Sequence, residues 1–395
     1  MTTPRWAVAV SDFVFAMSLL FAAPVRAQTA LSHLDLDLRV QYERRTVGGV
    51  AELTLRNAGQ GQIREVTLLL NRLMRVRDIR RDGQRVLGFT QGVVAFTDDS
   101  ARKVNEVRVP LRSPLVPGDS VTLRVSYAGV LAGYAETGTT YIKDHVDRSF
   151  TIIREDAYAF PVVGQASWAA FRAQPRRDFT FVAKVRVPVG QVVAASGIAE
   201  RPARAGGDVI WSYRSNAPVP FLNITIAPYG VMQGPGARVF HFEEDSLGAR
   251  RVVRAVTDAR RLLTEWYGTL VDTTSLAIME IPRGFGSQAS LSGGIIQTQD
   301  AFRDPAELRQ LYHELSHLWN AVDVDVAPPR WNEGLATFLQ YRISEALDGW
   351  TDWAGVTDQV DARIRRRCGA DAVCDSVALS DFGRRGITDL SYSVG

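Results

Sequence analysis

Two of the chain's five histidines, His313 and His317, lie four residues apart in the stretch HELSHLWN (313–320), with Glu314 between them. Side chains at that spacing project together from a helix, so two imidazoles can reach one ion. Zinc suits such donors. At about 100° per residue, Glu314 sits about 60° around the helix from His317. It can face an open coordination position without filling it, and there take a proton from a water whose pKa the ion has lowered to about 7. A catalytic zinc site needs a third protein ligand and leaves a fourth position open. Glu333, in WNEGLATFLQY (331–341), is the candidate.

These residues need elements to hold them. Asp304-Pro305-Ala306-Glu307 reads as a helix start, with an acceptor at the cap, proline in the first turn and an acidic third residue. Leu308, Leu311, Tyr312, Leu315, Leu318 and Trp319 then recur at three- and four-residue spacing and define a buried side. A second helix is expected from about 330 to 347, with Leu335, Phe338, Leu339 and Ile343 as its stripe and Glu333 in its first turn. The connection AVDVDVAPPR (321–330) is long enough to fold it back beside the first. The competing reading is an ordinary helix with two solvated histidines. The capped amphipathic helix and the Asn-Glu-Gly helix start that follows it weigh against that reading.

Upstream the period is different. Leu34, Leu36, Leu38, Val40 and Tyr42 alternate with polar residues, and the pattern returns at 50–56, 121–127 and 179–187, with turn residues between the runs. Residues 28–233 therefore read as an antiparallel β domain. From 234 onward, a helix over 247–267, a buried strand SLAIMEI (275–281) and the two site helices predict an α+β second domain, making the chain an α+β multidomain protein. The first 27 residues carry Arg5, an apolar run too short to span a bilayer, and Val25-Arg26-Ala27, as a secretory signal peptide does. The expectation is a secreted or periplasmic protein without a transmembrane helix. Cys368 and Cys374, the only cysteines, then fit a small disulfide loop. A net charge of +3 without a basic, aromatic-interleaved stripe points away from nucleic acid.

HExxH followed by a glutamate in an Asn-Glu-Gly helix start resembles the gluzincin zinc metallopeptidases, specifically the aminopeptidase N-like family; HLWN is also similar to the glycyl aminopeptidase relatives. HLDLDLRV, the block at 160–197 and PVPFLNITIAPY (218–229) are similar to that family's β-domain strands, in order. The resemblance implies a saddle- or sandwich-like β domain followed by a thermolysin-like catalytic domain, one zinc per chain and a peptide or protein substrate. It implies His313, His317 and Glu333 as ligands, Glu314 as general base, and Tyr392 in SYSVG as donor to the oxyanion. The substrate strand would be Gly293, Gly294, Ile295, Ile296 and Gln297.

The sequence departs from the family in three places. The spacer Leu318–Asn332 counts 15 residues, against roughly eighteen in the family pattern. Ile296 stands where the family has the glutamate that holds a substrate ammonium, leaving Glu155, Glu280 or Gln297 as substitutes. The chain ends three residues after Tyr392, so a truncated catalytic domain is expected. A zinc-retaining binding or scaffold protein without turnover is the alternative function.

Overall fold

The computed structural model describes residues 28–172, 178–270, 276–290, 293–319 and 330–368. Alternation in the first strand, Thr29–Gln41, has the expected consequence. Leu34, Leu36, Leu38 and Val40 are buried, and Asp35, Asp37 and Arg39 stand on the other face. Each buried leucine or valine contributes about 1.5–3 kcal/mol of transfer free energy. This strand pairs antiparallel with Thr46–Asn57 in a nine-stranded sheet that continues through Ser120–Val130 to Met74–Arg81. On its other side it runs parallel to Thr180–Pro188, with Leu34 opposite Phe181 and Leu38 opposite Val185. The antiparallel domain expected from the sequence also contains one parallel pair among the described residues. The intervening chain is long enough to return to the same end of the sheet.

A second layer, built on Ile63–Asn71 and Asp99–Leu115, shares one apolar core with the large sheet. A three-stranded sheet (Val192–Ala195, Asn223–Ala227, Thr151–Arg154) buries Ile153, Ile224 and Ile226 in that same core. Its other face, with Phe150, Ile152 and Ala194, lies against Phe240, Met279 and Ile296 of the next sheet.

That next sheet has five strands, in the order Gly230–Gly234, Ala237–His241, Leu276–Ile281, Gly294–Thr298, Gln288–Ser290. The middle three are mutually parallel and the outer two antiparallel to their neighbours. The division expected at 233/234 falls inside the first of these strands. Leu276–Ile281 is buried throughout, as a strand covered on both faces must be. The helix Ser246–Tyr267 covers one face, placing Val252, Val256, Ala259 and Leu263 against Val239, Ile278 and Ile295. Beyond it stand the first site helix, Leu308–Ser316, and the second, Leu335–Asp348. Leu339 and Ile343 of the second helix are buried as expected. Phe338 is not: it is 50% exposed and lies beside Trp353 of the helix Trp353–Cys368. Among the described residues no helix is long and apolar enough to cross a membrane.

Candidate metal centre and active site

The first site helix starts as its sequence requires. Asp304 Oδ1 accepts from the Ala306 N–H at 2.9 Å, and Pro305 opens a 3-10 turn (Pro305–Glu307) that leads into Leu308–Ser316. Leu311, Tyr312 and Leu315 are buried in the core beneath the sheet. That packing fixes the helix's rotation, and His313 and Glu314 are left only 8% and 7% exposed. His317 begins the tighter 3-10 turn that ends the helix. The second helix begins with a wide π turn, Arg330–Gly334, which carries Asn332 and Glu333. Such turns are frequent at functional sites.

Three donor atoms converge. His313 Nε2 lies 3.2 Å from Glu333 Oε2 and 3.2 Å from His317 Nε2, and His317 Nε2 lies 3.6 Å from Glu333 Oε2. All three belong to the one group among the described residues whose ligand atoms lie within 4.8 Å of one another. Donors about 2.0–2.1 Å from a tetrahedral zinc stand about 3.3–3.4 Å apart. The observed triangle is of that size, and two imidazoles with one carboxylate are donors that zinc takes. The residues fit the ion.

The ring nitrogens facing away from this triangle are also held. Asn332 Oδ1 lies 3.0 Å from His317 Nδ1, and the Gln340 side chain hydrogen-bonds His313. Such partners fix the ring orientation and leave Nε2 lone pairs directed at the centre. Burial disfavours protonated His313, yet its hydrogen bond to Glu333 and the Glu314 charge outweigh burial and raise its pKa. His317 moves the other way, lowered by burial and then by the His313 charge. Burial pushes the Glu314 carboxyl up to about 7; His313 opposes that rise, Glu333 adds to it, and the donating N–H of Ala289 opposes it.

Asn332 and Gln340 had no role in the sequence reading. Gln340 follows Glu333 by seven residues, so two turns of helix place both on one side. The Ala289 amide left no signal, because a backbone group carries none.

The substrate strand expected at Gly293–Gln297 is a correction. Gly293 is a turn residue with φ +81°, and Gly294–Thr298 is an interior strand paired on both sides. Its backbone has no free edge for a peptide. Ile295 is buried toward the helices, Ile296 toward the three-stranded sheet, and Gln297 Nε2 donates to Gln310. Among the described residues the free edge belongs to Gln288–Ser290, and from it the Ala289 N–H reaches Glu314.

The proposed substitutes for Ile296 also separate. Glu280 Oε2 accepts from the Phe242 N–H at 2.7 Å, and the same carboxyl interacts with Asp245, not with the edge strand. Glu155 begins a turn one residue past Arg154, which pairs with Asn223; Asn223 Nδ2 in turn donates to Gln288 of the edge strand. Tyr392, the Cys374 half of the cysteine pair and residues 1–27 lie outside the described residues, as does the Cys368 side chain.

No protein-family model matches the chain, and no curated protein matches it. Solved structures do. An M1 zinc metallopeptidase variant of Deinococcus radiodurans with a bound Tyr-Ser-Ala substrate aligns with TM-score 0.62 at 21% identity, over 86% of this chain and 75% of that one. A two-domain M1 zinc metallopeptidase variant bound to L-tryptophan gives 0.59 at 20% identity, over 86% and 76%. Yeast LTA4 hydrolase gives 0.61 at 16% identity, over 84% and 52%. The chain therefore has a two-part fold, a β-rich part followed by a helical part. More particularly, it is the fold of the M1 zinc metallopeptidases.

Proposed function

We propose that the protein is a zinc-dependent peptide hydrolase in which His313, His317 and Glu333 hold the ion and Glu314 is the general base. The observation that carries this reading is the donor triangle with edges of 3.2, 3.2 and 3.6 Å beside a buried fourth residue, Glu314, outside the triangle. When bound, zinc polarises the scissile carbonyl and acidifies the attacking water. Glu314 takes a proton from that water and passes it to the leaving amine. An extended peptide adds to the free edge of Gln288–Ser290, which aligns its backbone beside Glu314. Tyr392 is assigned as oxyanion donor by resemblance alone. Export rests likewise on the signal-like N-terminus.

The experiment is hydrolysis of short peptides by wild type and Glu314→Gln, with zinc measured in both. The expected result is a variant that keeps the ion and loses turnover. Loss of zinc from the variant makes Glu314 a ligand or structural group. A zinc-loaded wild type that cleaves nothing leaves the scaffold reading.

A further inference from the structure

Among the described residues the strand that approaches Glu314 spans three residues and has one partner, Gly294–Thr298. So short an edge has little intrinsic stability, and its position depends on how its ends are held. It is entered through Arg283-Gly284-Phe285-Gly286-Ser287, where Gly284 and Gly286 have φ of +85° and +71°. Glycines in that region leave the backbone free to adopt several courses unless neighbours select one.

Neighbours from the β-rich part do select one. Arg154 is fully buried, and its Nε donates to both carboxylate oxygens of the equally buried Asp144, at 3.1 and 3.0 Å. With the guanidinium plane fixed in this way, Nη1 donates to the Phe285 carbonyl at 3.0 Å and Nη2 to the Tyr141 carbonyl at 2.6 Å. The Tyr141 ring lies against Gly286, where an added Cβ would come within 3.1 Å of the Tyr141 Cβ and 3.4 Å of its ring. The Phe285 ring is held edge-on by Phe150, with centroids 5.2 Å apart. A second link runs from Asn223, opposite Arg154 in the three-stranded sheet, to Gln288.

We infer that the Arg154–Asp144 pair is a positioning device: it clamps the Phe285 carbonyl and so sets the edge strand Gln288–Ser290 at the height where a peptide backbone meets Glu314. The inference rests on the peptidase reading for its kinetic consequence, but not for its structural one. Arg154 touches no reacting atom. It acts through the strand, and its planar fork serves one carboxylate and two carbonyls from three separate nitrogens. Lysine at this position keeps the charge beside Asp144 but has one nitrogen where arginine places three.

The test uses Arg154→Lys and Tyr141→Ala in the full chain, with zinc content, hydrogen exchange and steady-state kinetics on an extended peptide. Tyr141 is 43% exposed, so its variant folds even where the buried substitution does not. Amides of 285–290 are expected to exchange about tenfold faster or more, while the helix Ser246–Tyr267 is unaffected. Zinc content should stay unchanged, KM should rise about tenfold and kcat change less than about threefold, because the lost order lies in substrate alignment and not in the base. Unchanged exchange over 285–290 overturns the inference whatever the kinetics show. So does faster exchange with unchanged KM in an active enzyme, or a fall in kcat alone. If wild type cleaves no peptide, the peptidase reading fails and the exchange result still decides the clamp.

Discussion

Glu280 is a carboxyl at the centre of the catalytic-side sheet, with no solvent exposure. Burial first, and then its contact with Asp245, pushes its pKa up to about 9, against 4.5 for the free side chain. Its Oε2 accepts from the Phe242 N–H, while Oε1 has no donor. Protonated, the carboxyl becomes a donor toward Asp245, which Arg303 holds ionised through two hydrogen bonds to one oxygen and one to the other. The folded protein therefore keeps a proton that the unfolded chain releases. A carboxyl whose folded pKa is raised supports the fold fully below about pH 4.5, and this contribution is lost as pH rises toward 9. From pH 5 to 7, within that window, the loss is on the order of 2–3 kcal/mol, since each pH unit above the unfolded pKa costs roughly 1 kcal/mol or a little more. Glutamine has nearly the same shape, donates to Asp245 through its amide and does not titrate. Glu280→Gln should lie within about 1 kcal/mol of wild type at pH 5 and gain on the order of 2–3 kcal/mol on it by pH 7. Urea unfolding of both proteins at the two pH values measures this, and groups common to both cancel in the difference. A difference that stays constant between pH 5 and 7 refutes the reasoning, because it means that Glu280 is ionised in the fold.

Two further outcomes are expected. Wild type should carry about one zinc per chain, and His317→Ala should lose most of it, because a three-ligand site reduced to two binds poorly; elemental analysis showing equal zinc in both refutes the ligand assignment. The edge strand offers Gln288, Ala289 and Ser290 and no carboxylate, and a desolvated ammonium without a partner costs several kcal/mol. Free peptides should therefore be preferred over N-acetylated ones by less than about tenfold in kcat/KM, about 1.4 kcal/mol. A preference of about a hundredfold for free amines sinks that expectation, and its loss in Glu155→Gln would name Glu155 as the ammonium's partner.

Along this chain, what the sequence determined by itself was local. The Asp304 cap, the turn between His313 and His317, the alternation from Leu34 to Val40 and the apolar run at 276–281 each depend on residues a few positions apart, and periodicity reports them directly. Glu333 was legible for the same reason, since its Asn-Glu-Gly start sets it at the head of a helix.

Tertiary structure decided the rest. Nothing in one dimension says whether GGIIQ or GSQAS lies inside the sheet. Pairing with Leu276–Ile281 on one side and Gln288–Ser290 on the other closed the first and left the second as the edge. Phe338 fitted the helical stripe but lies beside Trp353 at the surface, because the stripe's width is set by what packs opposite it. Arg154 meets Asp144 ten residues away and the Phe285 carbonyl 131 residues away. A hydrogen bond to a backbone carbonyl is indifferent to the side chain that bears it. No pattern of residue types could have announced that clamp; it exists only where the fold brings a buried guanidinium to the turn before the edge strand.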